Sequence, residues 1–71
     1  MYVYKVIAER LYSEPLGWYD TYGITCWIEG RQIVYISDVS CDAAWMEAFV
    51  AKLNADGLEP VHLMDVVNNS I

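Results

Sequence analysis

The chain has 71 residues, 56% hydrophobic and 14% aromatic against 20% charged. That composition excludes a disordered segment and fits one small domain, which buries only about 60% of the surface its unfolded state exposes. The formal charge of −6 is lopsided: residues 1–37 set four carboxylates against three cations, and residues 38–71 set six against Lys52 alone. A field of that sign repels phosphate and argues against direct nucleic-acid binding.

Tyr2 to Tyr12 is rich in aromatic and β-branched residues with Lys5, Glu9 and Arg10 dispersed through it, which predicts a first strand with one wetter face. Ser13 to Asp20 contains Pro15 and Gly17 and reads as the loop of a wide hairpin carrying Trp18 and Tyr19. Thr21 to Glu29 predicts a second strand, with Tyr22, Ile24, Cys26 and Ile28 on one face and Gly23 marking a bulge or a close backbone approach. Gly30-Arg31 suits a two-residue turn with glycine first, leading into a third strand over Gln32 to Ser37. In that register Ile28 faces Ile33, Cys26 faces Tyr35, Trp27 faces Val34 and Thr25 faces Ile36. A three-residue turn would exchange the faces of the third strand. Under either turn both faces of the hairpin are apolar.

Ser40 is placed to cap a following helix, with Cys41 in its first turn and Asp42 at the positive end of its dipole. Trp45, Met46, Phe49, Val50 and Leu53 recur at three- and four-residue spacing and predict its buried stripe, while Glu47 and Lys52 lie off it. Asp56-Gly57 ends that helix, and Pro60 opens a shorter one with Val61, Met64, Val66 and Val67 as its apolar side and Asn68 to Ile71 frayed. The expected fold class is α+β, a three-stranded antiparallel meander followed by two helices in the order β-β-β-α-α. From Thr21 to Val67 the chain also resembles a small uncharacterised family of Gram-positive bacterial proteins. The resemblance lies in Tyr22-Gly23-Ile24, Asp38-Val39-Ser40 with Asp42, Leu53-Asn54, Leu58 with Pro60, His62-Leu63 and Asp65-Val66, with Glu59 where a capping serine is expected. It implies a compact bacterial or mobile-element domain and no catalytic residue.

Chemistry-bearing residues are sparse. His62 and Asp65 sit three apart, a spacing at which a carboxylate can orient an imidazole, but no nucleophile lies near them and a surface hydrogen bond is the plainer reading. Cys41 near a helix start could be activated by the dipole, yet Asp38 and Asp42 oppose that. Cys26, Cys41 and His62 fall short of the four ligands of a structural zinc site, and the four glycines are isolated, so neither metal nor other cofactor is expected. Two cysteines and a charged amino-terminal stretch without an apolar run predict reduced thiols, no membrane segment and a cytoplasmic location.

What remains is surface. Two helices cover one face of a three-stranded sheet, leaving either Trp27 or Tyr35 on the other unless Leu16, Trp18 and Tyr19 fold back over it. The sequence therefore predicts a non-enzymatic protein-binding module. Its contacts would come from Trp18, Tyr19 and Trp27 together with the acidic Asp42, Glu47 and Asp56. A concrete version is a phage or mobile-element inhibitor, anti-CRISPR-like, that occupies a partner's basic nucleic-acid-binding surface. The alternative is a homodimer closed through the bare sheet.

Overall fold

The computed structural model describes residues 1–71. Strands β1 (Tyr2–Ser13), β2 (Gly17–Ile28) and β3 (Arg31–Ser40) form one antiparallel sheet in chain order. Helix α1 (Ala43–Asp56), a 3-10 turn at Pro60–His62 and helix α2 (Leu63–Ser70) follow. The α+β class and the β-β-β-α-α order are those the sequence predicts.

The first hairpin is longer than expected. β1 and β2 pair without a break from Tyr2 opposite Ile28 to Ser13 opposite Gly17, so the loop shrinks to Glu14-Pro15-Leu16. Gly17 closes it at φ +73°, where a side chain would be strained, and the Leu16 amide bonds Ser13 O at 3.1 Å. Trp18 and Tyr19 are thus strand residues, not loop residues. A cross-strand contact holds the extension: Trp18 meets Tyr12 edge-on at 5.5 Å between ring centres. The molecule measures 39 Å along its longest axis, close to the span of a 12-residue strand at about 3.3 Å per residue.

The second hairpin corrects the expected turn. Glu29 and Gly30, both at positive φ (50° and 77°), occupy the two central positions, and Ile28 faces Arg31. Two left-handed residues twist with the strands, whereas a turn at Gly30-Arg31 would have needed only one. Ile33 is then an extra residue on β3, after which Cys26 faces Val34, Thr25 faces Tyr35 and Ile24 faces Ile36. The expected Cys26–Tyr35 and Trp27–Val34 pairs do not form. Tyr35 moves to the face of Trp27, so both aromatics, not one of them, lie away from the helices. A second irregularity, with Asp38 at φ +56°, carries β3 on to Ser40 opposite Tyr22.

The core lies between the even-numbered face of the sheet and the helices. It gathers Tyr4, Ile24, Cys26 and Val39 with Met46, Val50 and Leu53 of α1 and Leu63 and Val67 of α2. Trp45 and Phe49 are only half-buried, stacked on each other at 4.8 Å. Asp42, not Ser40, caps α1 by accepting from the Trp45 amide at 3.0 Å. Ser40 stays in β3 and accepts from the Asp42 amide, which leaves Cys41 exposed outside the helix. Gly57, at φ +63°, ends α1 as expected. The 3-10 turn advances by three residues per turn instead of 3.6, so the apolar phase of α2 shifts: Leu63 and Val67 are buried while Val61 (76%) and Met64 (51%) are exposed. The carboxy-terminal turn expected to fray is helical to Ser70, whose hydroxyl donates to Val66 O at 2.7 Å.

Candidate functional site

Strand alternation sorts the sheet into two surfaces. Facing away from the helices are Val3, Lys5, Ile7 and Glu9 of β1, Thr21, Gly23, Thr25 and Trp27 of β2, and Tyr35 and Ser37 of β3, as the pairing register requires. Val3, Ile7 and Tyr35 (49%) are exposed, and Trp27 is half-buried. The Trp27 indole is fixed on two sides: its N–H donates to Thr25 Oγ1 at 2.9 Å, and the Lys5 ammonium lies 4.8 Å from the ring centre. Leu16 and Trp18 do not fold back over this surface; they stand exposed at the far end of the hairpin.

Beyond the apolar patch the same face carries a polar brace. Gly23 has no side chain, and a Cβ there would collide with Ile36 O and lie 2.8 Å from Glu9 Oε1. The gap lets the Glu9 carboxylate reach across β2. It accepts from the Tyr35 hydroxyl, from Ser37 Oγ at 3.0 Å and from the Asp38 amide at 3.0 Å. Asp38 in turn accepts from Thr21 Oγ1 at 2.7 Å and from the Tyr19 hydroxyl at 2.8 Å. Partial desolvation works against ionisation of Glu9, but the donors from Tyr35, Asp38 and Ser37 outweigh it and hold its carboxyl below the usual range. Bonds from Thr21 and then Tyr19 lower Asp38 likewise, and the bond to Asp38 raises the Tyr19 phenol. Both carboxylates are taken up by donors of their own fold, so they tie β1, β2 and β3 together.

The residues expected to bind a partner are dispersed. Tyr19 and Trp27 share the helix-free face at opposite ends of β2, and Trp18 lies on the other face, with the Arg10 guanidinium 6.0 Å from its ring. Asp42 is occupied as the α1 cap, and Asp56 pairs with Lys52 at 3.2 Å. Glu47 and Asp56 are nine residues apart on α1, two and a half turns, and so point to opposite flanks. Glu9 and Tyr35 are neighbours that no spacing along the chain marks; the one signal is Gly23, expected to mark a bulge or a close approach, and it sits at both.

Groups with chemical potential elsewhere are scattered. His62 and Asp65 are both exposed, and Lys52–Asp56 is the only ion pair. Burial pushes the Cys26 thiol up, and burial with the neighbouring thiol does the same to the Tyr4 phenol. No three His, Cys, Asp or Glu side chains converge as a metal would require, and no helix is long and apolar enough to cross a membrane.

These features define a small α+β protein whose three-stranded sheet keeps one face free of helices. The chain belongs to a family of unknown function, DUF6514, whose profile matches residues 1–71 and so takes in β1 as well as the segment from Thr21 to Val67. No curated protein and no solved structure matches it.

Proposed function

We propose that this protein is a small, non-enzymatic protein-binding module that docks a partner protein on the helix-free face of its sheet. One observation carries the reading: Trp27, held by Thr25 and Lys5, stands with exposed Val3, Ile7 and Tyr35 on a surface that no other part of the chain covers. Aromatic anchors already fixed in place lose little entropy on binding and dominate interface energetics. The Glu9 and Asp38 brace keeps that surface in one shape.

The charge split supports a finer version. With six carboxylates against one cation after Ile36 and Ser37, the helical half favours a partner with a basic surface, as a cytoplasmic phage or mobile-element inhibitor of the anti-CRISPR kind would meet. The carboxylates of α1, across the sheet from that face, would act through their field, with Trp27 and Tyr35 at the centre of the contact. A photoreactive residue placed in turn at positions 35 and 47 tests the arrangement. Strong capture of one host protein from position 35 is expected, and capture from position 47 alone would remove the sheet face from the interface.

The alternative, a regulatory homodimer closed through this same face, is favoured by the same apolar set, since a two-fold contact would lay Ile7 and Tyr35 of each copy on the other. In that case Tyr35→Ala would shift the mass measured by light scattering to that of a monomer.

A further inference from the structure

The two edges of the sheet are unlike. Along β3 the extra residue at Ile33 and the left-handed Asp38 interrupt the row of main-chain donors and acceptors. β1 has no such interruption over its 12 residues. The Asn54 side chain takes both the N–H (2.7 Å) and the C=O (2.9 Å) of Tyr4, so Tyr2, Val6, Ala8, Arg10 and Tyr12, in phase with Tyr4, also turn their main-chain groups away from β2. The hazard of that row is concentrated at its start. Tyr2-Val3-Tyr4-Lys5-Val6-Ile7-Ala8 is rich in aromatic and β-branched residues, with one charge and neither proline nor glycine, the composition that adds strand to strand most readily. Lys5 does not guard the edge, because its ammonium is drawn over the Trp27 ring on the sheet face. Past Ala8 the row meets Arg10, an exposed charge of the kind that discourages strand addition. Ahead of Tyr4 the end of α1 stands off: Met1, Tyr2 and Val3 face Asn54, Ala55 and Gly57 across a cavity of about 470 Å³. Asn54 therefore bonds the row inside its most adhesive stretch.

We propose that the Asn54 side chain is an edge block: by occupying the main-chain groups of Tyr4 it keeps copies of this chain from adding to one another along Tyr2 to Ala8. A primary amide suits the task because it offers one donor and one acceptor, as a strand residue does, but continues into no further strand. A strand arriving along β1 must end short of Tyr4 or displace that amide. The block reaches across 50 residues of sequence, so it exists only once α1 has docked on the sheet. Before docking, or when the end of α1 lifts, the edge is bare. The block concerns an edge and stands independently of partner docking on the helix-free face.

Sedimentation equilibrium across the micromolar to millimolar range reads the outcome, with hydrogen exchange of single amides as a second readout. Asn54→Ala should self-associate with a constant about tenfold or more above that of the wild type, and its Tyr4, Val6 and Ala8 amides should gain protection as concentration rises. Asn54→Asp separates blocking from stability. It loses as much stability as alanine, yet it keeps an acceptor for the Tyr4 N–H and sets a charge on the edge, so it should associate no more than the wild type. Ala8→Pro removes an outward N–H that β2 does not use, a change an edge strand tolerates. Added to Asn54→Ala, it should return the mass toward that of the wild type. Asn54→Ser, whose shorter side chain falls short of the edge, gives the same reading if alanine is not tolerated. A mass for Asn54→Ala equal to that of the wild type at every concentration, equal association of the alanine and aspartate variants, or association that leaves the Tyr4 and Val6 amides unprotected would each overturn the edge block. Association that Tyr35→Ala abolishes and Ala8→Pro does not would overturn it in favour of the face. Partner capture from position 35 is read separately, so either proposal can fail without the other.

Discussion

The Asn54 side chain completes the main-chain hydrogen bonding of Tyr4, acting as a one-residue strand against the edge of β1. The two residues are 50 positions apart, and the Tyr4 hydroxyl adds a bond to Leu58 O at 2.7 Å, just past the end of α1. The carboxy-terminal end of the helix is therefore fastened to the first strand by polar contacts as well as by the core. Asn54→Ala should destabilise the protein by about 1–3 kcal/mol, two hydrogen bonds at about 0.5–1.5 kcal/mol each. Urea unfolding checks it. Asn54→Asp should be no better than alanine, because it keeps the acceptor for Tyr4 N but sets a second acceptor against Tyr4 O.

Gly23 is required for space, not for its own dihedrals. A methyl group there meets main-chain oxygen of Ile36 and the Glu9 carboxylate together, and main chain yields less readily than the end of a side chain. Gly23→Ala should cost about 1–3 kcal/mol, the usual range for forcing an extra carbon into a packed site. It should also displace Glu9 from Ser37 and the Asp38 amide, seen as a shifted Asp38 amide resonance in a heteronuclear NMR spectrum. An unshifted resonance and unchanged stability would refute the steric argument.

The same brace predicts a direction for acid unfolding. Glu9 and Asp38 have folded-state pKa values below their ordinary values of 4.5 and 3.8. Each carboxylate therefore contributes stability that is fully present above its unfolded pKa and lost as pH falls through the lower folded value. Stability should hold from neutral pH down to about pH 5 and decline below it. The double variant Glu9→Gln, Asp38→Asn should flatten that decline while being less stable at pH 7. A variant as acid-sensitive as the parent would place the responsible carboxylates elsewhere.

Much of this architecture can be read from the residues, because strand alternation, the apolar stripe of α1 and the stop at Gly57 are local signals. What the sequence hides depends on single main-chain dihedrals. Glu29 at positive φ is atypical for its residue type and moved the turn by a residue, and the extra residue at Ile33 then brought Tyr35 to the side of Trp27. Asp42 outcompeted Ser40 as the cap only because β3 continues past the bend at Asp38. The brace was hidden for another reason: Glu9, Thr21 and Asp38 come from three strands, and no spacing along the chain encodes that they meet.

The core follows the same division. Periodicity put Phe49 in the stripe on equal terms with Met46, but Met46 is fully buried (0%) against the sheet, and Phe49 lies on the flank against Trp45. Met46→Ala should therefore cost about 2–5 kcal/mol, a large part of what so short a chain has. Phe49→Ala should leave a cooperative melt at a higher temperature than Met46→Ala. The reverse order in calorimetry would show that the aromatic stack, not the buried methionine, anchors α1.

The division between sheet and helices also separates two kinetic effects on a partner. Carboxylates on α1 act through a screened field and change how fast the partner arrives, whereas desolvated aromatics change how long it stays. Glu47→Lys with Asp56→Lys should slow association at low salt and leave dissociation nearly unchanged, though the second substitution also removes the pair with Lys52. Tyr35→Ala should speed dissociation, and because it also takes a hydroxyl donor from Glu9, circular dichroism of the variant checks that the fold is kept. Raising ionic strength from about 0.01 to about 0.15 M shortens the screening length from about 30 to about 8 Å, so the wild-type association rate should fall toward that of the lysine variant. Surface plasmon resonance across that salt series decides between the roles. Equal association of wild type and lysine variant at every ionic strength would reduce the acidic half to a solubilising surface, while an unchanged dissociation rate in Tyr35→Ala would take the sheet face out of the contact.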